Sequence, residues 1–290
     1  MKKGIAALIG AAVAASALVT ACSLSSPVSD YLFADDEDYT AYGEETVEFE
    51  KDAAFTLDLD WIAGEVVVIR GGDRITVTEE SLKGTYSPLY YSVKDGTLYV
   101  KFCKSGTLSN IIRGSSKKIT VTLPDGMKEI KVSSVSAKVG IEYVEKLDRV
   151  KVNSVSGESA VTAGKVDSIL IDTVSGDAKI SAEEADTVTC NAVSGDADIA
   201  VTAAAEAAAH SVSGDIGITV GGDGLKTVKI DTISGKSVIS LDSERGATVD
   251  FNTVSGKLTN EIGEGGNDET KIEVKVDSVS GDLTVNRAKK

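Results

Sequence analysis

The fold is decided by a repeat whose clearest copies lie at residues 172–200, which read DTVSGDAKISAEEADTVTCNAVSGDADIA. Within this stretch TVSGDAKI is followed, nineteen residues later, by AVSGDADI. The same Val-Ser-Gly or Ile-Ser-Gly corner recurs with its serine at positions 156, 175, 194, 213, 234, 255 and 280, and a copy without glycine contains Ser136. Steps of 19 to 25 residues are too long for a β-hairpin and too short for a helical repeat.

Apolar residues stand six and four positions before each serine and alternate with mostly polar residues, as they do in half-buried strands. These pairs are Val150/Val152, Ile169/Ile171, Val188/Cys190, Ala207/Ala209, Val228/Ile230, Val249/Phe251 and Val274/Val276. Alternation resumes after the glycine, so each repeat contains two short strands joined at a corner. The change of parity there requires a bend, for which glycine supplies the backbone angles. Asn and Asp three positions before the serine are predicted to hold the turn by bonding to their own backbone.

One coil cannot bury its apolar face alone, whereas stacked coils pair strand on strand and bury a continuous ladder. The sequence therefore predicts an all-β fold, a parallel β-solenoid of 19–21-residue coils at residues 133–286, followed by a tail at 287–290. A degraded coil, LDLDWIAGEVVVI at Leu57–Ile69, overlays the repeat with Trp61–Gly64 in the corner. Residues 45–132 are accordingly predicted to form less regular β coils.

The segment Ala203–Ala209, AAAEAAA, favours a helix by intrinsic propensity. The 19-residue spacing continues across it without a break. We therefore expect tertiary pairing to override propensity and to leave a strand with a thin core.

The chain opens MKKGIAALIGAAVAASALVTACSLSS, in which two lysines precede an apolar run, a pattern typical of a signal peptide and predicted here for residues 1–21. Val19-Thr20-Ala21-Cys22 resembles the lipobox of bacterial lipoproteins, in which the cysteine is lipidated and becomes the new amino terminus. We expect export and anchoring to the bacterial cell membrane through lipid on Cys22, because acyl chains hold a protein on a bilayer without a transmembrane helix. The alternative is an uncleaved anchor helix.

Residues 22–44 are predicted to be a flexible acidic tether, since the stretch from Ser23 to Glu50 contains no Lys or Arg. The formal net charge is −15, and it becomes −17 once Lys2 and Lys3 leave with the signal, because 28 basic residues then face 45 acidic ones. This charge argues against nucleic acid and anionic lipid headgroups as partners.

No catalytic or cofactor site is predicted. The corner serines should form a ladder, but a serine nucleophile needs a base, and the only histidine, His210, occupies the Asn/Asp column of its own coil. Gly221–Thr227, GGDGLKT, lacks the spacing of a phosphate loop and is predicted to be a long turn. Cys103 and Cys190 are expected to be separate buried thiols, with a bridge between them as the alternative.

An acidic column follows the corner glycine, with Glu158, Asp177, Asp196 and Asp215 on successive coils. Carboxylates about 5 Å apart repel one another unless they point into water or share a cation. We expect them to fan outward. The alternative is a weak Ca²⁺ row, for which Asp177, Asp196 and Asp215 are the candidate ligands.

These features resemble a known family. An amino-terminal strand pair, the Leu123-Pro124 element and serial SVSG or TVSGD turns are similar to the putative-adhesin β-strand-repeat domain of unknown function, over roughly residues 45–285. The resemblance implies a right-handed β-helix-like fold and a place in the envelope or on the surface of bacteria. It brings no catalytic residues.

Two classes of function remain. The first is a non-catalytic surface lipoprotein, an adhesin-like or scaffold module whose partner is an envelope or extracellular protein or a polysaccharide. The second is a carbohydrate-active β-helix enzyme that acts on an extracellular polysaccharide. Aromatic residues make up only 5% of the chain, which disfavours sugar stacking, and coils of this length leave little room for groove-forming loops. We therefore favour the non-catalytic class.

Overall fold

A computed structural model describes residues 38–42, 46–83, 88–105, 115–262 and 271–288. Every regular element in these residues is a β-strand, and their contacts divide the chain into an amino-terminal unit, Ser23–Lys165, and a carboxy-terminal unit, Val166–Lys290. The predicted signal peptide, Cys22 and most of the predicted tether lie outside the described residues. The exception is the strand Thr40–Tyr42, which lies inside the tether segment and pairs with the strand Leu89–Lys94.

The amino-terminal unit contains β1 (Thr40–Tyr42), β2 (Thr46–Glu50), β3 (Thr56–Arg70), β4 (Arg74–Lys83), β5 (Leu89–Lys94), β6 (Thr97–Lys101), β7 (Ser116–Leu123), β8 (Glu129–Tyr143) and β9 (Leu147–Ser156). The long strand β10 (Ser159–Ser175) begins in this unit and ends in the next. The carboxy-terminal unit continues with β11 (Ala178–Ser194), β12 (Ala197–Ser213), β13 (Ile216–Gly221), β14 (Thr227–Ser234), β15 (Ser237–Asp242), β16 (Ala247–Ser255), β17 (Leu258–Asn260), β18 (Ile272–Ser280) and β19 (Leu283–Arg287).

The predicted parallel β-solenoid is confirmed. β11 and β12 pair in parallel over their whole length, so that Ile180 lies opposite Ile199 and Cys190 opposite Ala209. From β10 to β12 the strands break only at the Gly-Asp pair after the serine, which is the predicted corner. The two apolar columns form the core, and from Ile169 to Ile230 their side chains are at most 1% exposed.

The alanine-rich segment is part of β12 and forms a strand, as predicted. Two of its buried alanines, Ala207 and Ala209, lie in the core columns between larger neighbours. Pairing on both sides therefore outweighs the helix propensity of this run.

The corner glycines lie where one backbone touches the next. A Cβ added to Gly195 would overlap the carbonyl oxygen of Gly176 in the neighbouring coil, and its φ of +121° is one that side chains rarely adopt. Gly281 has an ordinary φ, yet a Cβ there would overlap the carbonyl of Gly235. Close backbone approach therefore requires glycine in this column even where the backbone angle does not.

The coils of the carboxy-terminal unit are not stacked in chain order. β18 pairs with β14 on one side and with β16 on the other, and β19 lies in the same way between β15 and β17. The last coil of the sequence is thus inserted between two earlier ones. Phe251 fits this order, because its column holds only Ala, Cys, Val or Ile elsewhere in the unit and the half-buried ring lies at the outermost level.

The amino-terminal unit shows the same departure at its own outer end. β3 pairs in parallel with β8 on one side, and with β6 and β7 together on the other. The later strands β6 and β7 therefore lie outside the earlier coil 56–70. Antiparallel strands then cover them, because β5 pairs with β6, β4 with β7, β2 with β4 and β1 with β5.

We predict that Gly195→Ala lowers the free energy of unfolding by about 2–4 kcal/mol, because the methyl group strains the backbone and pushes neighbouring coils apart. Gly224→Ala is the matched control, since nothing lies within 4 Å of a Cβ at that turn glycine. Urea unfolding of both variants measures the difference. Equal stability of the two variants would contradict the close contact at the corner.

Candidate functional site

The serine ladder is present, with Ser194, Ser213 and Ser234 in register on neighbouring coils. His210 Nδ1 lies 2.8 Å from Asp231 Oδ2, and Lys229 Nζ lies 2.8 Å from the same oxygen. Among the described residues no hydrogen bond joins His210 to a ladder serine. The structure therefore brings together no nucleophile and base here.

Asp231 is almost fully buried, at 2% exposure. Burial raises the pKa of its carboxyl group, but the hydrogen bonds from His210 and Lys229 outweigh that effect and leave the pKa below its usual value. In the same column Asn191 Nδ2 donates to Asp172 Oδ1 at 2.6 Å. The Asn/Asp column thus connects neighbouring coils, whereas the sequence predicted bonds within each turn.

At two corners the turn is held by a hydroxyl group two positions before the corner serine, a contact that the sequence analysis missed. Ser154 Oγ donates to the Ser156 carbonyl and Thr232 Oγ1 to the Ser234 carbonyl, each at 3.2 Å. Ser and Thr occupy this position in most repeats, so the aligned sequence contained the signal.

The acidic column has a structural role that neither reading of the sequence included. Asp177 Oδ1 accepts the Asp196 N–H at 3.0 Å, and Asp196 Oδ1 accepts the Asp215 N–H at 2.8 Å. Asp215 accepts the Lys236 N–H in the same way. Each carboxylate thus satisfies a corner N–H of the next coil. Among the described residues no three Asp, Glu, His or Cys side chains come together as a metal site requires.

The two cysteines in the described residues, Cys103 and Cys190, are buried thiols, and no disulfide joins them. Burial raises the pKa of the Cys190 thiol to about 12. A thiol with this pKa is not ionised near neutral pH, so Cys190 belongs to the core and not to a reactive site.

A buried ion pair that the sequence analysis missed lies in the amino-terminal unit. Lys117 Nζ contacts Glu79 Oε1 and donates to the Phe102 carbonyl, and the two charged side chains are 3% and 1% exposed. Burial raises the pKa of Glu79 and lowers that of Lys117, and in each case it exceeds the attraction between the partners.

Lys117 cannot serve as a nucleophile for an outside substrate, because aromatic rings enclose it. Its Nζ lies 4.1 Å from the centre of the Phe102 ring and 5.1 Å from that of Trp61. Glu79 Oε2 also accepts the Leu89 N–H at 3.3 Å. The pair therefore joins β4, β5 and β7 at the covered end of this unit. Loss of one partner would leave an unpaired charge in a site without water.

An open depression of about 430 Å³ lies beside the predicted long turn, which does connect β13 to β14. Asp223, Asp242 and Glu244 line it together with Arg245. Arg245 Nη1 donates to the Asp223 carbonyl at 2.7 Å, so it holds the turn in place. The carboxylates around it disfavour a phosphate ligand, which agrees with the sequence analysis.

Aromatic residues are concentrated on the amino-terminal unit. Phe251 is the only aromatic residue after Tyr143. Two tyrosines occupy one face of the paired strands: Tyr99 lies opposite Ser92 and Asp58, and Tyr90 lies opposite Lys101, which in turn lies opposite Asp60. Directly paired residues share a face of a sheet.

We call the half-buried residues Tyr90, Tyr99, Asp58 and Asp60 the tyrosine face, and Lys101, which lies among them, is itself buried at 5% exposure. Their neighbours Leu98 and Val100 point the other way and are fully buried, so this face points away from the core. Lys101 Nζ lies 4.2 Å above the Tyr39 ring, and Lys131 pairs with Asp58 at 2.7 Å. Half-buried tyrosines beside charged groups are typical of surfaces that bind proteins or sugars. The uneven placement of aromatic residues in the sequence was the available signal.

We predict that Asp196→Asn, which keeps the acceptor oxygen, melts close to the wild type, whereas Asp196→Ala melts a few degrees lower because a corner N–H loses its partner. Millimolar Ca²⁺ should leave all three melting temperatures unchanged. Differential scanning calorimetry provides the measurement. A large Ca²⁺-dependent rise that Asp196→Asn abolishes would instead establish the Ca²⁺ row.

The chain matches the family model Toastrack DUF4097 over residues 56–286. No curated protein matches it in sequence. A crystal structure of a putative adhesin from Bacteroides fragilis is similar, at 16% identity with a TM-score of 0.50, over 86% of this chain and 97% of that one. A structure of a putative lipid binding protein from Parabacteroides distasonis matches at 15% identity with a TM-score of 0.45, over 86% and 98%.

A putative adhesin from the same species matches at 17% identity with a TM-score of 0.42, over 87% of this chain and 98% of that one. At these identities the structural matches concern the fold alone, and the family model covers most of the chain. The chain therefore belongs to the Toastrack family DUF4097.

Proposed function

We propose that this protein is an exported lipoprotein, held on the bacterial cell membrane by lipid on Cys22, whose β-solenoid is a non-catalytic, adhesin-like interaction module. The non-catalytic role is supported by one observation: the repeated polar side chains form hydrogen bonds and ion pairs within the stack of coils. The acidic column accepts corner N–H groups, and His210 pairs with Asp231. Side chains committed to the stack in this way are not free for acid–base chemistry.

The anchoring part of the proposal rests on the sequence Val19–Cys22. None of the residues that the structure describes belongs to a helix of the length and apolarity that crossing a bilayer requires. Two or three acyl chains on Cys22 would supply stable attachment, since each buried CH₂ contributes about 0.8 kcal/mol.

The partner is an envelope or extracellular protein or a polysaccharide, and the tyrosine face is the surface that would bind it. Tyrosine rings offer apolar area and a hydroxyl group at a low cost in conformational entropy. The net charge of −15 disfavours nucleic acid as a partner. The similarity of the fold to the structure of a putative adhesin supports export but identifies no ligand.

We expect metabolic labelling with an alkyne fatty acid to mark the wild type and Cys103→Ser but not Cys22→Ser, because only Cys22 follows a lipobox. In-gel fluorescence of the full chain reads the label. Equal labelling of wild type and Cys22→Ser would exclude lipidation at this residue.

We expect Tyr90→Ala/Tyr99→Ala to weaken capture of the partner about tenfold or more, because anchoring aromatic side chains dominate binding at interfaces. Lys179→Ala/Asp198→Ala, an exposed pair on β11 and β12, is the matched control. Pull-down with mass spectrometry would identify a protein, and a glycan array would identify a sugar. Unchanged capture by the tyrosine variant would remove the tyrosine face from the proposal, and cleavage of a polysaccharide by the wild type would favour the enzyme class.

A further inference from the structure

The outermost level of the carboxy-terminal unit consists of β16 and β17. Among the described residues β16 pairs only with β18, and β17 pairs only with β19. One whole edge of this level therefore has backbone N–H and C=O groups without a strand partner. Such an edge is a template for another strand.

The core columns are open at this level. Leu258 is 39% exposed, whereas Leu283 in the same column of the adjacent level is fully buried. Val249 and Phe251 are half-buried, although Val274 and Val276 beside them are at most 1% exposed. Solenoids need a polar cap at each end, and within the described residues this end has none.

The sequence of β16 lacks the usual protection of an edge strand. It reads ATVDFNTVS, with one charge and no Lys, Arg or Pro. By contrast, β2, which covers the other unit, carries Glu48 and Glu50 in a strand of five residues. Natural edges avoid unwanted pairing with charges, prolines or short length. The edge of β16 is therefore suited to pairing.

The direction of the free backbone groups follows from the bonds on the paired side. The Ile272 N–H donates to the Gly246 carbonyl at 3.0 Å, so even-numbered residues of β16 face β18. Residues 247, 249, 251 and 253 then direct their N–H and C=O groups to the free edge. A strand that pairs at this edge would form its hydrogen bonds with these residues, which include Val249 and Phe251.

We propose that this edge binds the same edge of a second copy of the chain, which gives a two-fold dimer in which β16 pairs antiparallel with β16. A two-fold contact closes both open ends at once. The strands β6 and β7 of the amino-terminal unit are not available to this edge, because β5 already pairs with β6 and β4 with β7.

The register of this pairing is compatible with the charges. With Phe251 on the two-fold axis, Asp250 of one copy lies opposite Asn252 of the other, and Val249 lies opposite Thr253. No like charges then face each other along the strand pair. The stacking of the two open ends also covers Val254 and Leu258, which are 43% and 39% exposed in one chain.

The test is multi-angle light scattering of the full chain in detergent, with the detergent mass subtracted. We expect twice the mass of one mature, lipid-anchored chain for the wild type. Val254→Lys/Leu258→Lys should raise the dissociation constant of the dimer at least tenfold and so favour the monomer, because it places charged ammonium groups in the contact. Both side chains are partly exposed, so a single chain should still fold, and circular dichroism verifies this.

The matched control is Leu82→Lys/Val144→Lys, the same two changes at side chains that are 53% and 50% exposed on the amino-terminal unit. This control has the same anchor and the same added charge and should remain dimeric. A monomeric wild type would overturn the proposal, even if another protein copurified through this edge. Dimers that persist in Val254→Lys/Leu258→Lys, or open-ended oligomers, would overturn it as well.

Discussion

The structure depends on close contact between backbones at the corner of each coil. The carbonyl oxygen of one corner occupies the space that a side chain would need in the next, as between Gly176 and Gly195. This contact fixes the register of neighbouring coils to the residue, because a shift of one position would place a Cβ there. The apolar columns, the carboxylate bonds to corner N–H groups and the hydroxyl groups that hold the turn all require that register.

A shared corner also makes the levels interchangeable. Any coil with the same apolar columns fits at any level of the stack. Which coils become neighbours then depends on the side chains that each level has to accommodate. The outermost level accepts Phe251, and the inserted coil supplies Val274 and Val276 to the core. The order also separates Lys236 from Lys257, because Asp282 lies on the level between them and accepts the Lys257 N–H at 2.8 Å.

Periodicity in the sequence predicted the columns, the corner and the degraded coil around Trp61, since these are properties of one repeat. It could not predict the order of levels, because every level has the same pattern. Contacts that occur only once produce no repeating pattern in the sequence. The antiparallel strands that cover the amino-terminal unit and the ion pair of Lys117 with Glu79 depend on such contacts. For the candidate site, the carboxylates were located correctly but their bonding partner was a backbone group, which sequence alignment does not show.

The order of the levels is tested most directly by disulfide trapping. Lys275 lies opposite Lys229 on one side and opposite Asp250 on the other. Lys229→Cys/Lys275→Cys should form an intramolecular disulfide, because Cα atoms on adjacent strands are about 4.8 Å apart. Lys229→Cys/Asp250→Cys should not, since two levels separate its Cα atoms by about twice that distance. Peptide mapping that finds the second bridge and not the first would show coils stacked in chain order and would contradict this account.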